Sequence, residues 1–226
     1  MPRITAERRE AKRAQIVAAA RRCFSRDGFH QTSMPDIAAE AGVSTGAPYR
    51  YFASKEEIIL AIAGDAFRLV FDPVVKLAAA SDAPGVADLV AASLQALSAD
   101  TVADAAGDPV PVRELLRCAV QTWSELLRNE AVRSRALDGF ESVRRAIADS
   151  LRRGQAAGAV PAAMDPERGA RLVMGLLHGF LLQRVAFDLT GTAAFGEDIR
   201  ILIEGTERSG TTSSRVEQDR RHAPRS

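Results

Sequence analysis

The chain has 226 residues, of which 46% are apolar, 26% charged and 5% aromatic. These are the proportions of a globular protein able to bury its own core, and they exclude a disordered chain, a collagen and a coiled-coil rod. The net charge is +1, but residues 1–55 carry 10 Lys and Arg against 5 Asp and Glu, residues 56–207 carry 15 against 22, and residues 208–226 carry 5 against 2. A basic head on an acidic body is the distribution expected when one part of a chain meets nucleic acid. No apolar run reaches the roughly 18 residues of a membrane span, and the charged start has no secretory core, so a cytoplasmic protein without membrane contact is expected. Cys23 and Cys118 do not form a disulfide framework, and His30, His178 and His222 are too scattered for a zinc site, so no metal and no cofactor are expected.

Apolar spacing of three and four predicts an all-α chain of about nine helices. The first spans about 5–26, with Ile16, Val17, Ala20, Cys23 and Phe24 on one face and most of its arginines elsewhere, and Gly28 suits a left-handed cap. Ser33 and Asp36 form the ends of a capping box, with Pro35 in the first turn of a short second helix that Gly42 breaks. A third helix is predicted from Ser44 to Phe52. Ser54-Lys55-Glu56-Glu57 is the capping sequence of a fourth, which should kink or stop at Pro73. Helices follow at about 84–100, 112–129 and 130–157, with a loop over 101–111. Asp165-Pro166-Glu167 opens a helix to about Asp188 that is apolar nearly all round, so more than one side of it must be covered. A last helix spans about 193–207, and residues 208–226 read as a disordered tail.

The informative stretch is Thr32 to Lys55. Two short helices joined by Ala41-Gly42-Val43-Ser44 make a helix-turn-helix, whose second helix can enter the major groove of DNA. Ser44, Thr45, Gly46 and Ala47 are small enough to let backbone approach base edges. Tyr49 and Tyr51 carry hydroxyls for phosphates, Arg50 suits a phosphate or a base, and Lys55 suits a phosphate at the next helix start. Ile16, Phe24, Gly28-Phe29, Thr32, Ile37-Ala38, Ala41 to Ser44, Gly46, Tyr49, Tyr51-Phe52 and Ser54-Lys55 stand in the order and spacing of TetR-family transcriptional regulators, which the chain resembles over roughly residues 10–60. Pro48 departs from that pattern, since an aliphatic residue is more usual there, and it removes about one helical hydrogen bond.

The resemblance implies a DNA-binding head over 1–53, with Thr32, Ser33, Ser44, Thr45, Gly46, Ala47, Tyr49, Arg50, Tyr51 and Lys55 as its DNA contacts. It implies a ligand-binding and dimerisation body over 54–207. It also implies a repressor that binds a palindromic operator in double-stranded DNA as a homodimer and is released by a small-molecule effector. Apolar walls with a few polar groups suit an apolar or amphipathic effector, and the candidates are Phe67, Phe71, Arg117, Gln121, Thr122, Trp123, Phe140, Arg144 and His178. The candidate dimer interface is Leu172, Leu176, Phe180, Gln183, Phe187, Ile199, Leu202 and Ile203. The competing readings are a helical enzyme, for which no catalytic motif is visible, and an interaction module with no DNA role.

Overall fold

Amphipathic sequence yields helices, and helices make up 77% of the computed structural model. It describes residues 6–80, 84–104, 107–189 and 191–203; the tail expected over 208–226 lies outside these. The order is α1 (Ala6–Asp27), α2 (Met34–Glu40), a 3-10 turn (Pro48–Arg50), α3 (Lys55–Ala80), α4 (Val86–Leu97), β1 (Thr101–Ala103), β2 (Pro109–Pro111), α5 (Val112–Arg128), α6 (Glu130–Ala156), α7 (Pro166–Phe187) and a last helix, α8, over residues 192–203.

Three local expectations are corrected. Residues 101–111, expected as a loop, contain an antiparallel hairpin that pairs Thr101 with Pro111, Val102 with Val110 and Ala103 with Pro109. Burying the Val110 side chain rewards that pairing. Pro73 does not stop α3, because Val70, Phe71, Val74 and Ala78 around it are all buried and packing outweighs the lost bond. The stretch from Ser44 to Phe52 is not an α-helix. Ala47 donates to the Ser44 carbonyl (2.8 Å), Arg50 to that of Ala47 (3.1 Å) and Tyr51 to that of Pro48 (3.0 Å), which are three-residue steps. Pro48 has no N–H to give a four-residue bond, and its ring crowds the carbonyl of Ser44.

The apolar residues gather into two cores. The head core holds Ile16, Phe24, Phe29, Ile37 and Phe52, and also Ile58, Ile59 and Ile62 from α3, Val110 from the hairpin, and Leu115 and Cys118 from α5. The body core holds the rest of α3 with residues of α4, α5, α6, α7 and Ile199. Helix α3 therefore runs unbroken from one core into the other. In the body, Arg153 donates to the Ala78 carbonyl and Arg184 to that of Leu97, so cations stand at the carbonyl ends of α3 and α4.

Candidate DNA interface and effector site

The head is assembled by short-range chemistry. Gly28 (φ +92°) and Gly42 (φ +64°) take the left-handed conformations their turns require. The Ser33 hydroxyl donates to Asp36 Oδ2 (2.6 Å) and accepts from the Asp36 amide (3.3 Å), while the Ser33 amide donates to the same carboxylate (2.8 Å). These bonds hold the Asp36 carboxyl below the usual carboxylate range. Glu40 ties α2 to α1 through Arg22 (2.7 Å) and Arg26 (3.5 Å), and Gln15 Nε2 donates to the Ala41 carbonyl (2.7 Å).

Of the ten candidate DNA contacts, Ser33, Ser44, Thr45, Gly46, Tyr49 and Arg50 are exposed, and Tyr49 is 57% accessible. Pro48 and Phe52 are buried beneath them, so the segment presents a polar outer surface on an apolar anchor. Ala47 and Tyr51 are half-buried, and Tyr51 packs against the head core. Thr32 and Lys55 face inward instead. Thr32 is buried and its hydroxyl donates to the Gly28 carbonyl (2.8 Å). Lys55 Nζ donates to the carbonyls of Phe29 (2.6 Å) and Thr32 (2.7 Å) and lies 4.3 Å from the Phe29 ring centroid. Both residues hold the loop before α2. The physical reason is that this loop leaves carbonyls unpaired at the head's edge, and a lysine at the start of α3 is the nearest donor.

The body contains an aromatic cluster. The His178 ring is 5.2 Å from those of Phe71 and Trp123 and 6.4 Å from that of Phe140, and Phe67 is 4.6 Å from Phe71. Trp123 is 46% exposed, so the cluster opens to the surface. Burial lowers the His178 pKa below its ordinary 6.5, against a smaller opposing effect of the Met174 carbonyl, and the imidazole is neutral at pH 7. Five of the nine candidate effector residues are thus brought together; the other four are not. Arg117 is exposed. Arg144 pairs with Glu141 (2.7 Å) and with Glu167. The Thr122 hydroxyl turns back on the Cys118 carbonyl (2.9 Å). Gln121 reaches the head, where its Nε2 donates to the Phe24 carbonyl (2.9 Å) and its Oε1 accepts from the Phe29 amide (2.8 Å). A cavity of about 120 Å³ lies elsewhere, between the start of α3 and the start of α6, lined in part by Glu57 and Arg135. A groove of about 330 Å³ separates α4 from α8, lined in part by Gln95 and Glu197.

Helix α5 joins head to body along one face. Glu114 pairs with Arg21 Nε (2.7 Å) with side chains only 19% and 8% exposed. One turn on, the Cys118 thiol, its pKa pushed up to about 12 by burial, meets the Arg21 carbonyl (3.6 Å). Gln121 follows, and then Glu125 Oε1, which lies 3.2 Å from His30 Nε2.

Residues 16–62 match the family model for bacterial regulatory proteins of the tetR family, and residues 101–199 match that for the C-terminal part of BetI-type transcriptional repressors. Over 196 residues the chain is 30% identical to the HTH-type transcriptional regulator TtgR of Pseudomonas putida, covering 84% of this chain and 90% of that protein. The chain belongs to the TetR family. Its backbone also superimposes on GusR of Salmonella enterica, with a TM-score of 0.65 and 25% identity over 90% of this chain and 98% of that one. A regulator from Saccharomonospora viridis, solved in complex with choline, gives a TM-score of 0.66 at 23% identity, covering 86% and 96%. The protein is therefore a helix-turn-helix transcriptional regulator of the TetR family, a family of regulators and not of enzymes.

The candidate dimer interface falls on the last two helices, α7 and α8. Here Leu172 (54%), Leu182 (50%) and Phe187 (71%) on α7 and Ile201 (59%) and Leu202 (69%) on α8 are accessible apolar side chains, with Gln183 exposed among them. Gly175 and Gly179 lie on the same stretch of α7 with open space where a side chain would be. Two of the sequence candidates are turned the other way. Phe180 is 6% exposed, its ring 4.8 Å from that of Phe195, and Ile199 is 5% exposed, so both belong to this chain's own core. Leu176 and Ile203 are half-buried against that core. Leu182 is not among the sequence candidates because α7 is apolar on every side and only packing tells its two faces apart; Ile201, on α8, lies next to the candidate Leu202 and is exposed like it. Among the described residues α7 is the one helix long and apolar enough to cross a membrane, and its other face lies in the body core.

Proposed function

We propose that this TetR-family regulator is a homodimeric repressor that binds a palindromic operator and is released by a small apolar or amphipathic effector. The observation that carries the reading is the outer surface of the head: Ser44, Thr45, Gly46, Tyr49 and Arg50 stand exposed on the buried Pro48 and Phe52. Hydroxyls, bare backbone and a guanidinium are the groups that meet phosphates and base edges. The exposed apolar stripe through Leu172, Leu182 and Phe187 supports the homodimer, because a two-fold pair of such helices would cover it and set two heads side by side. Both heads would then meet successive major grooves.

The cluster of Phe67, Phe71, Trp123, Phe140 and His178 supports the effector reading. Four aromatic rings and a neutral imidazole offer apolar walls and one polar handle. Aromatic faces also attract quaternary ammonium groups, which keeps choline-like amphiphiles, the ligand of the S. viridis regulator, within the class. An effector releases DNA only if it prefers a head position that fits the operator badly.

The test is a gel shift on DNA flanking the protein's own gene across a salt series. Specific binding that weakens steeply with salt and survives competitor DNA upholds the reading, because phosphate contacts release counterions. Binding of no sequence at low salt refutes it.

A further inference from the structure

Gln121 stands out among the polar residues of α5 because its side chain makes two hydrogen bonds and both go to the backbone of the head. Its side-chain amide acts as a backbone substitute for the head. It gives a hydrogen to the Phe24 carbonyl near the end of α1 and takes one from the Phe29 amide in the loop beyond (2.9 and 2.8 Å). The Phe29 peptide unit is then gripped from both sides, since its carbonyl accepts from Lys55 and its ring packs on Phe24 (5.2 Å). This unit opens the loop that leads into α2, and Thr32 further along the same loop is held by Gly28 and Lys55.

The second half of the observation lies on the same helix. Two residues beyond Gln121, and so about 200° around the helix at 100° per residue, Trp123 touches the His178 ring at 5.2 Å. One rigid helix thus carries the head's pivot on one face and the wall of the aromatic cluster on the other. Glu114, Cys118, Gln121 and Glu125 are spaced by four, three and four residues, so they form a single stripe against α1 and its loop. Of these contacts Gln121 alone makes two hydrogen bonds, and both go to the head's backbone. A rotation or slide of α5 driven at Trp123 cannot occur without moving the Phe29 amide or breaking its bond.

We infer that Gln121 is the positioning residue that couples the head to the aromatic cluster, so that occupancy of DNA is felt at Trp123 and occupancy of the cluster is felt at the head. This rests on the DNA-binding reading above, and by linkage the coupling works in both directions. Trp123 is the only tryptophan in the chain, so its emission reports the cluster directly. No effector need be known.

The experiment uses the full-length protein and a duplex that the protein itself enriches from a random library. Tryptophan emission is recorded with and without saturating duplex for the wild type, Gln121→Met and Gln121→Glu. Methionine keeps the length and loses both hydrogen bonds. Glutamate keeps an acceptor for the Phe29 amide but sets a charge against the Phe24 carbonyl. The expected result is a duplex-induced emission change in the wild type, its loss in Gln121→Met at saturating duplex, and partial recovery in Gln121→Glu. A change of the same size in Gln121→Met as in the wild type overturns the inference, as does a wild type that binds duplex with silent Trp123. If Gln121→Met does not fold, Gln121→Glu decides alone: a full wild-type change overturns the inference and a reduced one supports it. A protein that enriches no duplex removes the DNA-binding reading itself, and the coupling falls with it.

Discussion

Replacing Glu114 by alanine should loosen the joint between head and body. The side chain pairs with Arg21 at 2.7 Å, and Arg21 is 8% exposed while Glu114 is 19% exposed. Removing one partner of a buried pair leaves the other charge uncompensated, at a cost of about 3–5 kcal/mol. Glu114 keeps some access to water, and water entering the gap will solvate part of the Arg21 charge, so the lower end is expected, about 3 kcal/mol. For a chain of this size that corresponds to a melting point lower by about 6–12 °C. The assay is urea unfolding followed by circular dichroism at one fixed protein concentration, because subunit association would otherwise shift the midpoint. The double variant Arg21→Met with Glu114→Leu should recover most of the loss, since two apolar side chains of similar volume need no compensation. A Glu114→Ala protein within about 0.5 kcal/mol of the wild type, the range of an ordinary surface substitution, would show that the pair is solvated and that the joint does not depend on it.

Three other substitutions separate the roles assigned above. Leu182→Glu should yield a folded monomer in sedimentation velocity, whereas Phe180→Glu should yield an unfolded chain, because the first side chain is half exposed and the second lies in the core; the reverse pattern would mean that α7 docks by its other face. Lys55→Met should weaken operator binding without changing the slope of log affinity against log salt, since its ammonium is bonded to Phe29 and Thr32; a slope lower by about one would return Lys55 to the phosphates. His178, whose folded pKa lies below its ordinary 6.5, binds fewer protons folded than unfolded in that range. Its contribution to stability is therefore complete above about pH 6.5 and is lost as pH falls below it. His178→Gln should flatten the acid side of the stability curve, and equal slopes in the two proteins would count against a buried, neutral imidazole.

Local chemistry was the legible part of the sequence. Ser33 with Asp36, Gly28, Gly42 and the Asp165-Pro166 helix start each act within a few residues, and each stands where its spacing indicated. Proline was harder to read, because its effect depends on what surrounds it. Pro48 is itself buried, but most of its neighbours in that short segment are exposed, so little packing opposes it and the backbone tightens into a 3-10 turn, whereas Pro73 lies in a long helix among buried side chains and is overruled. The members of the aromatic cluster could be gathered from sequence because apolar rings seek the same interior. Their polar companions could not, because the reach of Gln121 to Phe29 or of Arg144 to Glu167 depends on how helices dock across 92 and 23 residues of chain. The two faces of α7 were indistinguishable for a related reason, since a helix apolar all round carries no record of which side meets its own body.

The passage of α3 through both cores bears on how such regulators can be recombined. The head does not end where the DNA-facing segment ends, since it borrows Ile58, Ile59 and Ile62 from α3, Val110 from the hairpin, and Leu115 and Cys118 from α5. A fragment cut after residue 53 would leave Phe24, Ile37 and Phe52 without their lids and could not hold its shape alone. Exchanging heads between relatives to rewire a genetic circuit must therefore transplant a matching surface of α5 along with the reading segment, or accept a chimera that melts. In this chain the shape of the head is tied to the body that carries it.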